Sequence, residues 1–565
     1  MAPVLTAAAP IHQHGSSPTI DVVAHHASMR AMISASAAVV QALPPPTIKL
    51  YDGLGKIDFR VTTNGPTAQR YFNQGMGFAY GFNHAAAIAS FREAQRLDPA
   101  CAMCWWGEAL ALGPNINAPL TPNANVEALA AIGRAQLLAG PVTPPERALI
   151  IALAKRYSDK PDADRPTLDA VFADSMLTVA RYYPDNDDIA LLTAEAAMDT
   201  LPWDYWTADR RTAKPRIGEA VRLVETVMAR NPDHPQGAHL YIHLMENGPD
   251  PKRAEAAADR LAKPLAGDAG HLVHMPAHIY YVLGRWKDSI RANVEGARRD
   301  EAYISASDDR GLLRYGYYPH NVHFIVTSAQ MAGDLPTAIR EANRLGQILD
   351  PGVASKIGWI QAIYAAPYFA KLQFAASSEV LAMSAPDARL PYARAMWHYA
   401  RAGAYAALRD TRGFESELTL LDQIGASPEL KATIEQGVPA ADLIQLAKLI
   451  ARGRLASAQG KHLRAADLYR QAILVEDRLA YTEPPFWYYP VQQSLGSALY
   501  RAGRYRDARR AFKAALGKSP NNGWALYGLA AAERALGHRS QAAAAEVALS
   551  RAWAGNRAWL KMERL

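Results

Sequence analysis

Residues 68 to 101 read AQRYFNQGMGFAYGFNHAAAIASFREAQRLDPAC. Within them Tyr71, Gly75, Phe78, Ala87, Phe91, Ala94 and Pro99 stand at positions 4, 8, 11, 20, 24, 27 and 32 of a 34-residue unit. Apolar and small residues recurring at steps of three and four predict two packed helices, with Gly81-Phe82-Asn83 as the turn between them. The same punctuation returns downstream. A unit opening at Ala102 puts Trp105 at its position 4, and one from Leu446 supplies Gly453, Gly460, Ala465, Tyr469 and Ala472. One from Tyr489 supplies Gly496, Gly503, Ala508, Phe512, Ala515 and Pro520, and one from Gly523 has Gly537 and Ala542 in register. Around residues 187 to 300 only Pro184, Pro232 and the turn Gly284-Arg-Trp-Lys-Asp288 keep the phase. A hairpin of this kind cannot bury its apolar faces alone, so the units must stack on one another.

This spacing resembles the tetratricopeptide repeat (TPR) and implies an all-α fold: a TPR α-solenoid, or superhelix of helical hairpins. Several longer motifs point the same way: Phe82-Asn83-His84, the run from Cys101 to Asn117, Pro202-Trp-Asp-Tyr-Trp206, Gly270-His-Leu-Val-His-Met-Pro-Ala-His278 and Pro319-His-Asn-Val-His323. Together they resemble a family of bacterial tetratricopeptide-repeat proteins with histidine-rich central repeats. The resemblance covers nearly everything after residue 50; it implies the fold and brings no reaction with it. The expected organisation is an extended or partly disordered arm over 1–50, N-terminal repeats over 51–184, central repeats over 185–350 and C-terminal repeats over 351–565.

Composition agrees with a helical array. Half of the 565 residues are apolar, and alanine-rich stretches with abundant Arg and Glu but few β-branched runs disfavour a parallel sheet. A net charge of +7 is modest over this length, and no segment concentrates Lys and Arg among aromatics, so no nucleic-acid partner is expected. No apolar run reaches the roughly 18 residues of a membrane-spanning helix. Residues 2–10, APVLTAAAP, look like the end of a secretory signal without its basic leader, which suggests a periplasmic or secreted protein and leaves the cytoplasm open. The only cysteines, Cys101 and Cys104, precede Trp105 rather than a histidine. Covalent haem attachment is thereby excluded, and a structural pair, a disulfide or a metal role stays open.

Seven of the sixteen histidines fall between 239 and 323, where an even spread would put about two or three. They form three runs: His239, His243 and Glu246; His271, His274 and His278; His320 and His323. Offsets of 0, 4 and 7, or of 0, 3 and 7, lie within roughly 60° of each other on a helix, so each run is a stripe. With units opening at Pro235, Gly270 and Pro319, all eight groups take the inward positions 2, 5, 9 and 12 of a first helix, facing one hollow. Packed helices about 8 to 10 Å apart leave a gap that two imidazoles can close around an ion.

The candidate metal ligands are therefore His239, His243, Glu246, His271, His274, His278, His320 and His323. Neutral nitrogen donors suit copper, zinc, nickel or iron and disfavour calcium or magnesium. His239 and His243 have the spacing of a zincin pair but lack its adjacent Glu. The favoured function is a metalloenzyme with a dinuclear transition-metal centre, copper or zinc, acting on a small organic substrate. Copper-type oxidation, with about three histidines per ion, is preferred to zinc-type hydrolysis, in which Glu246 or Glu195 would be ligand or proton acceptor. Trp203, Tyr205, Trp206 and Tyr317 are expected to wall the substrate pocket, with residues 301–318 as a lid. The alternatives are a non-catalytic scaffold binding a peptide or protein in the groove and a metal carrier; a homo-oligomer stays open. His84 and Glu108 are expected to hydrogen-bond each other, Trp106 and Trp397 to line the groove, and His12, His14, His25 and His26 to be solvated tail residues.

Overall fold

The computed structural model describes Val39 and residues 46–565 except 52, 56, 161, 264–266 and 268. The rest of the expected arm, with His12, His14, His25 and His26, lies outside the described residues. What is described is all-α, and antiparallel helices follow one another from Pro66–Tyr80 to Arg539–Ala552. Strands are absent among these residues apart from two isolated bridges, Asn115 with Ala118 and Trp206 with Ala213. No described helix is long and apolar enough to cross a membrane.

The repeat signature has a direct packing cause. A Cβ on Gly75 would come within 2.6 Å of the Phe91 ring, and one on Gly107 within 2.5 Å. The aromatic of each second helix thus wedges between a glycine of its own hairpin and one of the next. Phe512 repeats the arrangement between Gly496 and Gly528. Cys101 and Cys104 form a disulfide at the start of helix Ala102–Leu112, both fully buried.

The central helices present the histidines. His234 caps helix Pro235–Glu246 by accepting from the Gly237 N–H, and Pro235 starts it where no N–H is needed. The second stripe is split at Met275 into Gly270–His274 and Pro276–Val282. Pro276 has no N–H to continue the ladder, yet Met275 keeps helical angles (φ −51°, ψ −37°), so the stripe stays aligned. The expected lid loop is instead mostly helix. Trp286–Ser307 runs on for 22 residues, and a π-helical turn, Leu313–Tyr317, leads straight into Tyr318–Ala332.

The superhelix turns far enough for its end to meet its middle. The indole of Trp524 donates to the Gln330 carbonyl (2.8 Å), Trp553 packs on Gly333, and Pro520 meets Gly284. Between helices His462–Glu476 and Gln492–Arg501 the chain leaves the repeat pattern. This strap, residues 477–491, lies across the histidine face.

Candidate metal centre

The inward histidines gather into two triads. His239, His243 and His271 bring one ring nitrogen each to within 4.8 Å of the others, and so do His274, His278 and His320. Bonds of about 2.0–2.1 Å to one ion require donors roughly 3–3.5 Å apart, a small closure from this spacing. The triads adjoin: the ring centroids of His243 and His278, and of His271 and His274, are 5.8 Å apart. A phenylalanine backs each triad. Phe82 lies 4.7, 5.8 and 5.2 Å from His239, His243 and His271, and Phe324 lies 5.1, 5.0 and 5.1 Å from His274, His278 and His320.

Hydrogen bonds fix which nitrogen points inward. Gln236 donates its amide to Glu195 (3.3 Å), so its oxygen accepts from His239 Nδ1 (3.0 Å). His243 Nδ1 donates to Glu246 Oε1 (2.8 Å), and His278 Nδ1 faces Glu246 Oε2 (2.6 Å) and Glu483. Asn293 donates to the Ser289 carbonyl (2.8 Å), which leaves its oxygen to accept from His274 Nδ1 (2.5 Å). With protons held on Nδ1, the Nε2 lone pairs are left over. Those of His239 and His243 are buried without a partner, as are both ring nitrogens of His271. His274 Nε2 and His278 Nε2 stand 2.7 Å apart, close enough to share a proton or an ion. Buried polar atoms without partners call for a physical reason, and an imidazole anchored through Nδ1 is how metal-ligating histidines are held.

Electrostatics favour neutral rings. Burial, reinforced by neighbouring imidazoles, holds His239, His243, His271, His274 and His320 well below the ordinary histidine range. Burial alone lowers His323 to about 3; it lines the cavity outside both triads. Burial pushes the Glu246 carboxyl up to about 8 and Glu483 well above the carboxylate range, and the two carboxyls share a hydrogen bond. Glu246, His278 and Glu483 also form a third set of converging donors. Its oxygens face the Nδ1 side of His278, so Glu246 ties one triad to the other from behind.

Beside the triads is a cavity of about 190 Å3. Trp203 and Tyr317 line it, bridged by Asn117, whose oxygen accepts from the Trp203 indole (3.1 Å) and whose amide donates to the Tyr317 hydroxyl (3.3 Å). Tyr317 also packs on His271, ring centroids 5.3 Å apart. Tyr205 and Trp206 are not among the lining residues. Tyr205 is buried in the packing, and the Trp206 indole is taken by the Leu244 carbonyl (2.8 Å) at the end of a histidine-bearing helix. The far wall is the strap, with Tyr481, Glu483, Phe486 and Tyr488.

Other expectations are redistributed. Glu195 touches Gln236 rather than an inward nitrogen, and burial beside Asp199 raises it to about 8, so it acts through Gln236 on His239. Glu108 binds Arg92 (2.6 Å) and Gln95 (2.7 Å), while His84 meets Asn115 (3.0 Å); the two do not pair because each has a nearer partner. Trp106 and Trp397 lie away from this cavity, donating to the Leu149 and Met383 carbonyls. The residues missed from sequence are Gln236, Asn293, Phe82, Phe324 and Glu483. Phe82 stood in the motif Phe82-Asn83-His84, and Glu483 in the run Tyr481-Thr-Glu-Pro-Pro-Phe-Trp-Tyr-Tyr-Pro490, which breaks the repeat; the other three carried no signal.

A tetratricopeptide-repeat family model matches residues 499–558. No curated protein matches the sequence significantly. Among solved structures, a human IFIT1 dimer with m7Gppp-AAAA is 10% identical, covering 87% of this chain and 96% of its own at a TM-score of 0.32. The human IFIT1 dimer with PPP-AAAA is 13% identical, covering 94% of both chains at 0.29. Neither likeness carries an argument about function. The matched segment is a tetratricopeptide repeat, and the glycine-aromatic packing of successive hairpins makes the fold an all-α solenoid of such repeats.

Proposed function

We propose that the two histidine triads bind a pair of transition-metal ions and that the protein is a metalloenzyme acting on a small organic molecule in the adjoining cavity. The repeat match by itself supports only a binding scaffold. What carries the reading further is the arrangement at His274 and His278: both Nδ1 atoms face acceptors while the two Nε2 atoms stand 2.7 Å apart. Nitrogens this close share either an N–H···N hydrogen bond or an ion, and the buried, unpartnered Nε2 atoms of His239 and His243 and both nitrogens of His271 beside them favour ions.

Six imidazoles and no carboxylate in the triads favour copper, which leads the affinity order for such donors. The hydrolytic alternative needs a carboxylate near a metal-bound water. Glu246 and Glu195 are both on the outer side of the imidazoles, engaged with Nδ1 of His243 and His278 and with Gln236. The cavity's Trp203, Tyr317, Trp359 and Phe369 suit a substrate with an apolar or aromatic body. The Cys101–Cys104 disulfide supports an exported location.

The test is elemental analysis of the purified protein, before and after separate reconstitution with copper and zinc, followed by His243→Ala and His274→Ala. Two equivalents of copper, reduced in either variant with helicity kept, are expected. Protein that takes up neither metal is a scaffold, and unchanged stoichiometry in both variants rejects the ligand assignment. Zinc retained in preference to copper would transfer the reading to hydrolysis.

A further inference from the structure

A second, unrelated chamber of about 800 Å3 opens between the C-terminal repeats and the chain's last residues. Arg409, Arg454, Arg501, Lys561 and Arg564 line it, against Glu563 among the acidic side chains. Many arginines on this solenoid sit on carboxylates, Arg216, Arg222, Arg285, Arg298 and Arg344 among them. Two in this chamber have neutral partners instead. Arg454 is partly buried and donates to the Tyr488 hydroxyl (3.2 Å); Arg501 donates to Ser457 Oγ (2.8 Å). Neither has a carboxylate within ion-pair distance among the described residues. A guanidinium drawn into a protein with only neutral partners is costly unless an anion completes its surroundings.

We infer that this chamber binds a small phosphate-bearing anion, with Arg454 and Arg501 as its principal ligands. A guanidinium offers a planar fork of N–H donors matched to two oxygens of one oxyanion. Two such forks opening on one chamber can hold a phosphate from two sides. Lys561, Arg409 and Arg564, at the exposed rim, add attraction without fixed geometry. Occupancy also bears on the strap. Tyr488, the partner of Arg454, stacks on Phe369 at 4.4 Å, and both line the histidine cavity.

The experiment is titration of the full-length protein with inorganic phosphate, followed by calorimetry and by 31P line width, with succinate as a parallel probe. Saturable phosphate binding that weakens as salt rises is expected. Arg501→Gln should weaken it about tenfold or more, the usual loss when a charged hydrogen bond is removed. Arg454→Lys keeps the charge but not the fork and should fall between wild type and Arg501→Gln. Succinate binding more tightly than phosphate would overturn the phosphate assignment in favour of a carboxylate. Absence of saturable binding of phosphate, or affinity unchanged in a folded Arg501→Gln protein, would overturn the site. Because Arg501 packs at the chamber's edge, its variant remains interpretable if Arg454→Lys fails to fold.

Discussion

Glu246→Leu tests the proposed centre at its joint. In the native protein Glu246 Oε1 accepts from His243 (2.8 Å) and Oε2 faces His278 (2.6 Å). No other Nδ1 acceptor is present for His243 among the described hydrogen bonds, whereas His278 keeps Glu483. Leucine removes both oxygens, so the two triads respond unequally. Loss of an outer acceptor costs about 10–100-fold in metal affinity, or about 1.4–2.7 kcal/mol. That loss belongs to the ion at His239, His243 and His271. The ion at His274, His278 and His320 should weaken by less than about tenfold. The metal-free fold should lose about 1–3 kcal/mol, because the His243 Nδ1–H is left buried without an acceptor, offset in part by removal of a buried carboxyl pushed up to about 8. Competition against a colorimetric chelator, with bound metal counted at each step, should show one ion leaving early and the second near its native position. Glu246→Gln is the mild companion: its oxygen can serve His243 while its amide turns to Glu483. Equal loss of both ions in Glu246→Leu, or loss of neither, would refute the assignment of Glu246 as the outer partner of both triads.

Three further outcomes follow from the packing. Gly75→Ala puts a methyl 2.6 Å from Phe91 and should destabilise the N-terminal repeats by about 1–3 kcal/mol in denaturant unfolding; a neutral result would deny the wedge. Arg156→Met leaves buried Asp199, now 2.8 Å from the guanidinium, without a cation, while Asp169 keeps only Arg165 (2.9 Å). It should cost about 3–5 kcal/mol by the same measurement. His84 is held neutral by burial, which lowers it to about 4, so the unfolded chain takes up its proton first as pH falls below about 6.5. Stability is therefore lost between about pH 6.5 and 4, by about 3 kcal/mol in all for this one group. His84→Gln should flatten that part of a stability–pH curve, and an unchanged slope would show that other groups govern it.

The fold and the histidine face were legible for the same reason. The glycine-aromatic wedge imposes a fixed period on the chain, and once Pro235, Gly270 and Pro319 set the phase, helix geometry put seven imidazoles and Glu246 on inward positions. What a period cannot express is how they divide. The split into triads depends on the crossing of three hairpins and on Gln236 and Asn293, ordinary amides in sequence. Tyr205 and Trp206 failed as pocket walls because adjacency along the chain says nothing about which carbonyl an indole will reach. The lid was sought at 301–318, where the repeat is interrupted near the histidines in sequence. The segment that covers the face comes from 477–491, brought there by the curl of the superhelix.

That strap gives the protein an order of construction. Residue 483 meets residue 278 across 205 positions, so a chain emerging from the ribosome has all six triad imidazoles, and the hairpins that aim them, well before the wall that encloses them exists. Ions and other small molecules meet an open bowl during synthesis and a roofed chamber afterwards. A fragment ending near residue 460 should accordingly load and release metal freely, and the last hairpins serve as a latch on when the interior stops exchanging with its surroundings.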